Sequence, residues 1–339
     1  MAVGMTGAAE ARKARGPAQV RELDPPAVRA EWRSWGLAWP AAFTAPPWVT
    51  AWSETLGSGR PVRWFVVEEA GAPIGAVPLV MAGDTAQVAG SPDVCDHLDL
   101  ASRPGREAEV CRALARFLEH RGVRRFDAEA ARSEALLIRG WKAAGLAVDL
   151  SGVAVTVEMD LPGSWEGYLE RLPKHDRHEI RRKLRRLEAA GPVVWRRSQD
   201  PTADLPVFLQ LFRDSRPRKR AFLTPERLSF FHRLAVVLAA EGVLDLGILK
   251  VGGRPVAATF GFSWGDTAHL YNNGFDPAWA DRSVGLVAKV LSVRDAIERG
   301  MARYTFLRGD EPYKFRLGGR AVPLLGFRAR LSPSGGGDR

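Results

Sequence analysis

The chain of 339 residues is poor in cysteine. Cys95 and Cys111 are its only two, and they have no CxxC spacing, which excludes a disulfide framework, a zinc ribbon and thioredoxin-like chemistry. No apolar run approaches the roughly 20 residues that cross a bilayer. The first residues, MAVGMTGAAEARKARG, lack the apolar core of a signal peptide. The expected protein is cytoplasmic, with no membrane span. No GxSxG elbow, Walker sequence, HExxH or strand-following GxGxxG is present, which removes nucleophile-elbow hydrolases, P-loop enzymes, zincins and dinucleotide-binding folds. Acidic residues are also in deficit: 39 against 49 Lys and Arg leave a net charge of +10, which favours acidic partners such as phosphates, nucleotides or nucleic acid.

What is present begins with length, about twice that of a typical domain, so two domains are expected. An internal repeat supports the division. Trp64 to Val80 (WFVVEEAGAPIGAVPLV) and Leu246 to Phe262 (LGILKVGGRPVAATFGF) each read as two β-rich runs around a Gly-x-Pro turn, 182 residues apart at Gly71 and Gly253. The first copy continues through a strand-like His97 to Leu100, a helix over Glu107 to His120, an Arg121-Gly122 stop and a strand over Val123 to Ala128. The second continues through Ala268 to Asn273, a helix over Gly285 to Glu298, an Arg299-Gly300 stop and a strand over Ala302 to Leu307, now offset by 178 residues. The spacing predicts α/β units over 21–150 and 151–331, with periodic structure lacking in 1–20 and in the tail 332–339. The second unit opens with a helix after Pro173, whose face is Ile180, Leu184 and Leu187 and whose stop is Gly191-Pro192. A helix over Asp204 to Asp214 and one capped by Thr224 follow.

Chemistry-bearing residues concentrate in the second unit. The tract Phe306-Leu307-Arg308-Gly309-Asp310-Glu311-Pro312-Tyr313-Lys314-Phe315-Arg316 sets cations, carboxylates and a phenol directly after a predicted strand, where open α/β sheets collect ligands. A solvated, salt-bridged turn has the same composition. The corresponding stretch of the first unit keeps only Asp127 and Glu129, so the second unit is the expected working site. Arg282-Ser283-Val284-Gly285 opens a helix, and backbone N–H groups at such an end bind pyrophosphate, with a glycine that lets it approach. An ordinary Ser-capped helix reads the same way. Between Lys174 and Arg186 lie seven Lys or Arg against two acids, either a solvated face or a phosphate or nucleic-acid surface. His175 and His178 have helical spacing but no third metal ligand, so no metal is expected. A second basic cluster, Arg213 to Arg220, reads as a Pro-containing loop between helices.

The tract Tyr304 to Arg316, with Leu161-Pro162-Gly163-Ser164-Trp165-Glu166, the run His178 to Leu187, Ser215-Arg216-x-x-Lys219 and Gly274-Phe275-Asp276-Pro277, resembles the CelD/BcsL group of Gcn5-related N-acetyltransferases (GNATs) over nearly the whole chain. The resemblance implies two tandem GNAT-like α/β units, each a mixed twisted sheet flanked by helices, the second catalytic and the first degenerate. The superfamily's acyl-CoA signature is matched at Arg282-x-x-Gly285, with Val287 in its last glycine or alanine position. It implies acyl transfer from acetyl-CoA or another acyl-CoA to an amine or hydroxyl of a small or carbohydrate-linked acceptor, in polysaccharide or cell-envelope biosynthesis. Asp310 or Glu311 is then the candidate base and Tyr313 the candidate acid. Arg282, Ser283, Gly285, Lys314 and Arg316 are candidates for the cosubstrate, and Arg181, Ser215, Arg216, Lys219, Tyr271, Asn273 and Arg308 for the acceptor. Two other readings stay open: transfer from charged tRNA, as in the related Fem ligases, and a non-catalytic GNAT-like protein that binds a nucleotide or nucleic acid.

Overall fold

The computed structural model describes residues 17–57 and 59–331, so the expected unstructured ends 1–16 and 332–339 lie outside the described residues. Two compact units emerge, one holding 59–152 with 17–49 and 325–331, the other 153–324 with 50–57.

The first unit runs β1 Gln19–Leu23, α1 Pro25–Glu31, α2 Pro46–Ser53 (whose last four residues go with the second unit), β2 Val62–Glu69, β3 Ala72–Ala82, β4 Thr85–Val88, β5 Ala101–Ser102, α3 Glu107–His120, β6 Arg125–Arg132 and α4 Leu136–Ala143. β1 begins inside the stretch expected to lack structure, because Gln19 to Leu23 pair with Trp64 to Glu68. Its strands lie in the order β1-β2-β3-β4-β6, with β5 on β3. In β2 the consecutive Trp64, Phe65, Val66 and Val67 are all buried, as in a strand covered on both faces.

The second unit runs β7 Asp149–Asp160 (whose first four residues go with the first unit), α5 Trp165–Arg171, α6 Lys174–Glu188, β8 Val193–Arg197, α7 Pro201–Ser215, α8 Pro217–Phe222, α9 Pro225–Ala240, β9 Leu244–Val251, β10 Arg254–Trp264, β11 Thr267–Phe275, α10 Val284–Glu298, β12 Arg303–Arg308, α11 Pro312–Arg316 and β13 Arg320–Arg330 (whose last six residues go with the first unit). Its strand order is β7-β12-β11-β10-β9-β8. The chain expected to stay in this unit to 331 leaves it at 325. Phe327 packs instead on Phe126 and Trp141, at ring-centroid distances of 6.0 and 5.5 Å. The basic segment 213–220 is helical apart from Arg216, since Pro217 starts α8 with the φ a helix needs.

Both hairpins have two-residue turns with left-handed backbone, Ala70-Gly71 and Gly252-Gly253, the geometry that matches strand twist. The strand expected at His97 to Leu100 is absent. There Asp99 accepts the backbone N–H groups of Leu100, Leu136 and Leu137 at 2.8–2.9 Å, so the segment caps α4 rather than joining the ladder. The true third strand of the repeat is β4. Gly83-Asp84-Thr85-Ala86 recurs as Gly265-Asp266-Thr267-Ala268 at the hairpin's own offset of 182. Thr85 to Gln87 pair in parallel with Arg125 to Asp127, as Thr267 to His269 pair with Arg303 to Thr305. Both parallel ladders stop after three pairs. β11 then continues beside β10 and β12 beside β7, which opens the sheet where α10 begins.

Candidate functional site

At that opening lies a cleft of about 260 Å³ lined by Arg216, Phe275, Ser283, Gly285, Lys289 and Tyr313, with Ala280, Val284 and Leu286 completing the wall. Ser283 adopts left-handed backbone (φ 55°) at the N-cap of α10, where a non-glycine residue is uncommon. Its hydroxyl does not cap the helix; it accepts from Lys183 Nζ at 2.9 Å, and its own N–H donates to Ala280 O at 3.0 Å. Ser283 N–H, an expected phosphate donor, is therefore spent. The N–H groups of Val284 and Gly285 have no acceptor among the described residues, leaving two donors at the positive end of a four-turn helix. Gly285 itself answers to packing as well as to ligand approach, because a Cβ there would lie 2.9 Å from the Phe275 ring. Phe275 is held by its own motif: Gly274 lets the α7 backbone approach, and Asp276 accepts from Ala278 N–H at 3.0 Å to start the turn after β11.

Across the cleft, Tyr313 sits half-buried on α11, its ring edge-on to Phe306 at 6.2 Å. Burial, and then the Glu311 charge, raise its phenol pKa, so it keeps its proton. Lys289 Nζ lies 4.5 Å from the centre of this ring and donates to Gly285 O at 3.1 Å.

The tract after β12 divides. Tyr313 reaches the cleft; Asp310 and Arg316 are exposed and do not line it, and neither does Arg308. Lys314, expected at phosphate, is buried, and its three N–H bonds go to the carbonyls of Leu307, Arg308 and Gly309 at 3.0, 2.7 and 3.1 Å. It has no donor left for a ligand. This ammonium holds the left-handed Leu307 (φ 59°) that follows the bulge in β12. Glu311 pairs with Lys314 at 2.9 Å. Partial burial opposes its charge, but Lys314 overrides that and lowers its pKa, which makes it a structural carboxylate rather than an available base.

Among the acceptor candidates, Arg216 lines the cleft. Lys219 is turned to the Asn273 carbonyl and the Phe212 ring, and burial, with Arg216 and Arg218, pulls its pKa down to about 8. Asn273 is thus engaged through its backbone. Ser215 donates to Phe212 O at 2.8 Å within α7. Tyr271 joins an aromatic cluster with Phe231 and Phe260, at 6.0 and 6.1 Å. Arg282 stacks over Trp279 at 5.0 Å and pairs with Asp281, outside the lining. Arg181 is exposed and lies about 160° around α6 from Lys183, the residue that reaches α10, so the two do not converge. His175 and His178 belong to no group of three or more metal-ligating residues among the described residues. Among the same residues, no helix is long and apolar enough to cross a membrane.

Sequence reasoning overlooked Lys289. Its signal was a single lysine inside the otherwise uncharged run Val284 to Val293.

The family model of the acetyltransferase (GNAT) domain matches residues 174–315, which contain every residue of the cleft. Among solved structures, the chain is similar to the crystal structure of FemX, at 11% identity over 91% of this chain and 96% of that one, with a TM-score of 0.64. It is similar also to a conserved protein of unknown function from Bacteroides thetaiotaomicron (14% identity, 92% and 99% covered, TM-score 0.62) and to L-PGS from Bacillus licheniformis (12%, 87% and 94%, TM-score 0.54). No curated protein sequence matches. These likenesses are of fold: the chain is an α/β protein of two tandem GNAT-like units.

Proposed function

We propose that the second unit transfers an acyl group from acyl-CoA to an amine or hydroxyl of a small or carbohydrate-linked acceptor, the polysaccharide or cell-envelope setting being that of the group the sequence resembles. The observation that carries this reading is the pair of unpartnered N–H groups of Val284 and Gly285, opening on the same cleft as a phenol that burial keeps protonated. The N–H groups suit the pyrophosphate of CoA. Tyr313 suits the departing thiolate, which needs a proton as the C–S bond breaks. The guanidinium of Arg216 in the cleft wall suits an anionic cosubstrate. Tyr313→Phe is expected to lower CoA release from acetyl-CoA by about 10²–10⁴-fold while changing acetyl-CoA affinity little. Wild-type turnover in that variant would remove Tyr313 from the chemistry.

A second reading, aminoacyl transfer from charged tRNA, draws on the likeness to FemX over most of the chain and on the exposed cationic flank of α6 at Arg181 and Arg185. Competition separates the two. Acetyl-CoA binding unaffected by aminoacyl-tRNA, together with CoA release, supports the first reading; tRNA binding with a steep salt dependence and no CoA release supports the second.

A further inference from the structure

Lys289 is a buried cation to which the chemistry above gives no part. It sits one turn beyond Gly285 on α10, and its ammonium position lines the cleft beside Tyr313. The groups that face it are mostly of its own sign: Lys219 and Arg216 from the α7–α8 side, and Lys314 from α11. The carboxylate that faces it, Glu311, is already paired with Lys314. A buried ammonium in that company is costly and gives up its proton instead. Burial first, then Lys219 and Arg216, bring its pKa down to about 7.

The first unit supplies an internal comparison. The offset of 178 that relates Gly122 to Gly300 also relates Glu107 to Gly285 and Cys111 to Lys289. There α3 and α4 close on each other: a Cβ at Gly140 would lie 2.6 Å from both Cys111 Sγ and Glu107 O. In the second unit the same helix position carries an amine, and the space beside it is open.

We propose that Lys289 is the proton acceptor of the cleft, a catalytic base whose uncharged amine takes the proton of the acceptor's nucleophile. The assignment rests on the acyl-transfer reading. As the acceptor's nitrogen or oxygen bonds to the thioester carbon, its proton passes to Lys289 Nζ; as the C–S bond breaks, the thiolate takes the Tyr313 proton. Return of the Lys289 proton to solvent and reprotonation of Tyr313 restore the site, and the sum is acylated acceptor plus CoA thiol. The carboxylates of the tract are then not needed as bases, in keeping with the pairing of Glu311 and the exposure of Asp310.

The test has two arms on the full chain. In the first, trace acetic anhydride labels the amines across a pH series, with Nα-acetyl-lysine added as the reference amine and the label on Lys289 read by mass spectrometry. Half-maximal labelling of Lys289 is expected near pH 7, about three units below the reference. In the second, CoA release from acetyl-CoA is measured against a panel of primary amines including glucosamine, beside acetyl-CoA affinity by calorimetry. Lys289→Met and Lys289→Arg are both expected to lose about 10²–10⁴-fold in turnover with affinity nearly unchanged, since methionine has no proton-accepting nitrogen and the arginine guanidinium stays protonated. Labelling of Lys289 that tracks the reference amine, or full turnover in Lys289→Arg, overturns the proposal. Low-pH labelling without CoA release from the wild type upholds the uncharged amine and places the failure on the acyl-CoA reading.

Discussion

Lys314 is buried with its donors satisfied by three carbonyls and a carboxylate; Lys289 is buried with one carbonyl. Removing the first strands the acceptors around it, at about 1–3 kcal/mol each, so Lys314→Met should cost about 3 kcal/mol or more in urea unfolding. The same variant should leave any cosubstrate affinity of the folded protein within about twofold, because no donor of Lys314 faces the cleft. Removing the second relieves the cost of deprotonating a buried amine, or of burying its charge at lower pH, so Lys289→Met should stabilise the fold, by an amount that depends on pH. The folded-state pKa is depressed, hence between about pH 7 and 10 the unfolded chain binds a proton the folded chain lacks, and wild-type stability should rise by about 1.4 kcal/mol per pH unit relative to Lys289→Met. A pH-independent difference between the two proteins would show that Lys289 titrates normally. In the sequence these residues are indistinguishable in kind. Lys314 drew attention because its neighbours are charged, and the carbonyls that saturate it are backbone groups that no residue pattern displays.

Among the elements, α6 is the most strongly charged and has its apolar face confined to Ile180, Leu184 and Leu187. One flank is tied down: Glu179 takes Arg182 at 2.8 and 2.9 Å and Lys183 at 2.9 Å, and Lys183 continues to Ser283. Those partners, Arg182 first, lower the Glu179 pKa to about 2. Its contribution is thus present above the unfolded value of 4.5 and fades as pH falls toward 2. Acid unfolding of Glu179→Gln should accordingly show a flatter loss of stability over that window, and identical curves would mean the contacts add nothing. On the other flank Arg181 and Arg185 have no such contact among the described residues, so Arg181→Gln with Arg185→Gln should leave the melting temperature within about one or two degrees. The hairpins, α3, α6 and α10 were legible because each combines a period of two or 3.6 with turn or stop residues at both ends. The third strand of the first repeat was misplaced for a physical reason. His97 to Leu100 has the apolar alternation of a strand, but Asp99 is committed to capping α4, whereas β4 is four residues long and offers almost no period to read. The four-residue identity Gly-Asp-Thr-Ala was the usable signal. Of the candidate site, Ser283, Gly285 and Tyr313 were legible from motif, and Arg216 from charge; convergence of the remainder depended on where carbonyls and ring faces point.

At the scale of the whole molecule, the chain holds two copies of one α/β unit that differ where α10 and α3 begin. In the first, Glu107 is buried at the helix start and pairs with Arg139 at 2.8 Å, while Arg106 closes on Glu69 and Glu109. Acids already occupy the positive helix end, so no anion is invited. In the second, Ser283 turns its hydroxyl away to Lys183, and the N–H groups of Val284 and Gly285 have no acceptor among the described residues. One cosubstrate site per chain, at α10, is therefore expected. Calorimetric titration of the full chain with acetyl-CoA tests it, run beside Ser283→Asp, a change that places a carboxylate at the helix start, where it favours the fold but repels phosphate. One site per chain is expected for the wild type, with affinity at least about tenfold weaker in Ser283→Asp at an unchanged or higher melting temperature. Two equivalent sites, or wild-type affinity in Ser283→Asp, would show that the start of α10 is not where acetyl-CoA binds.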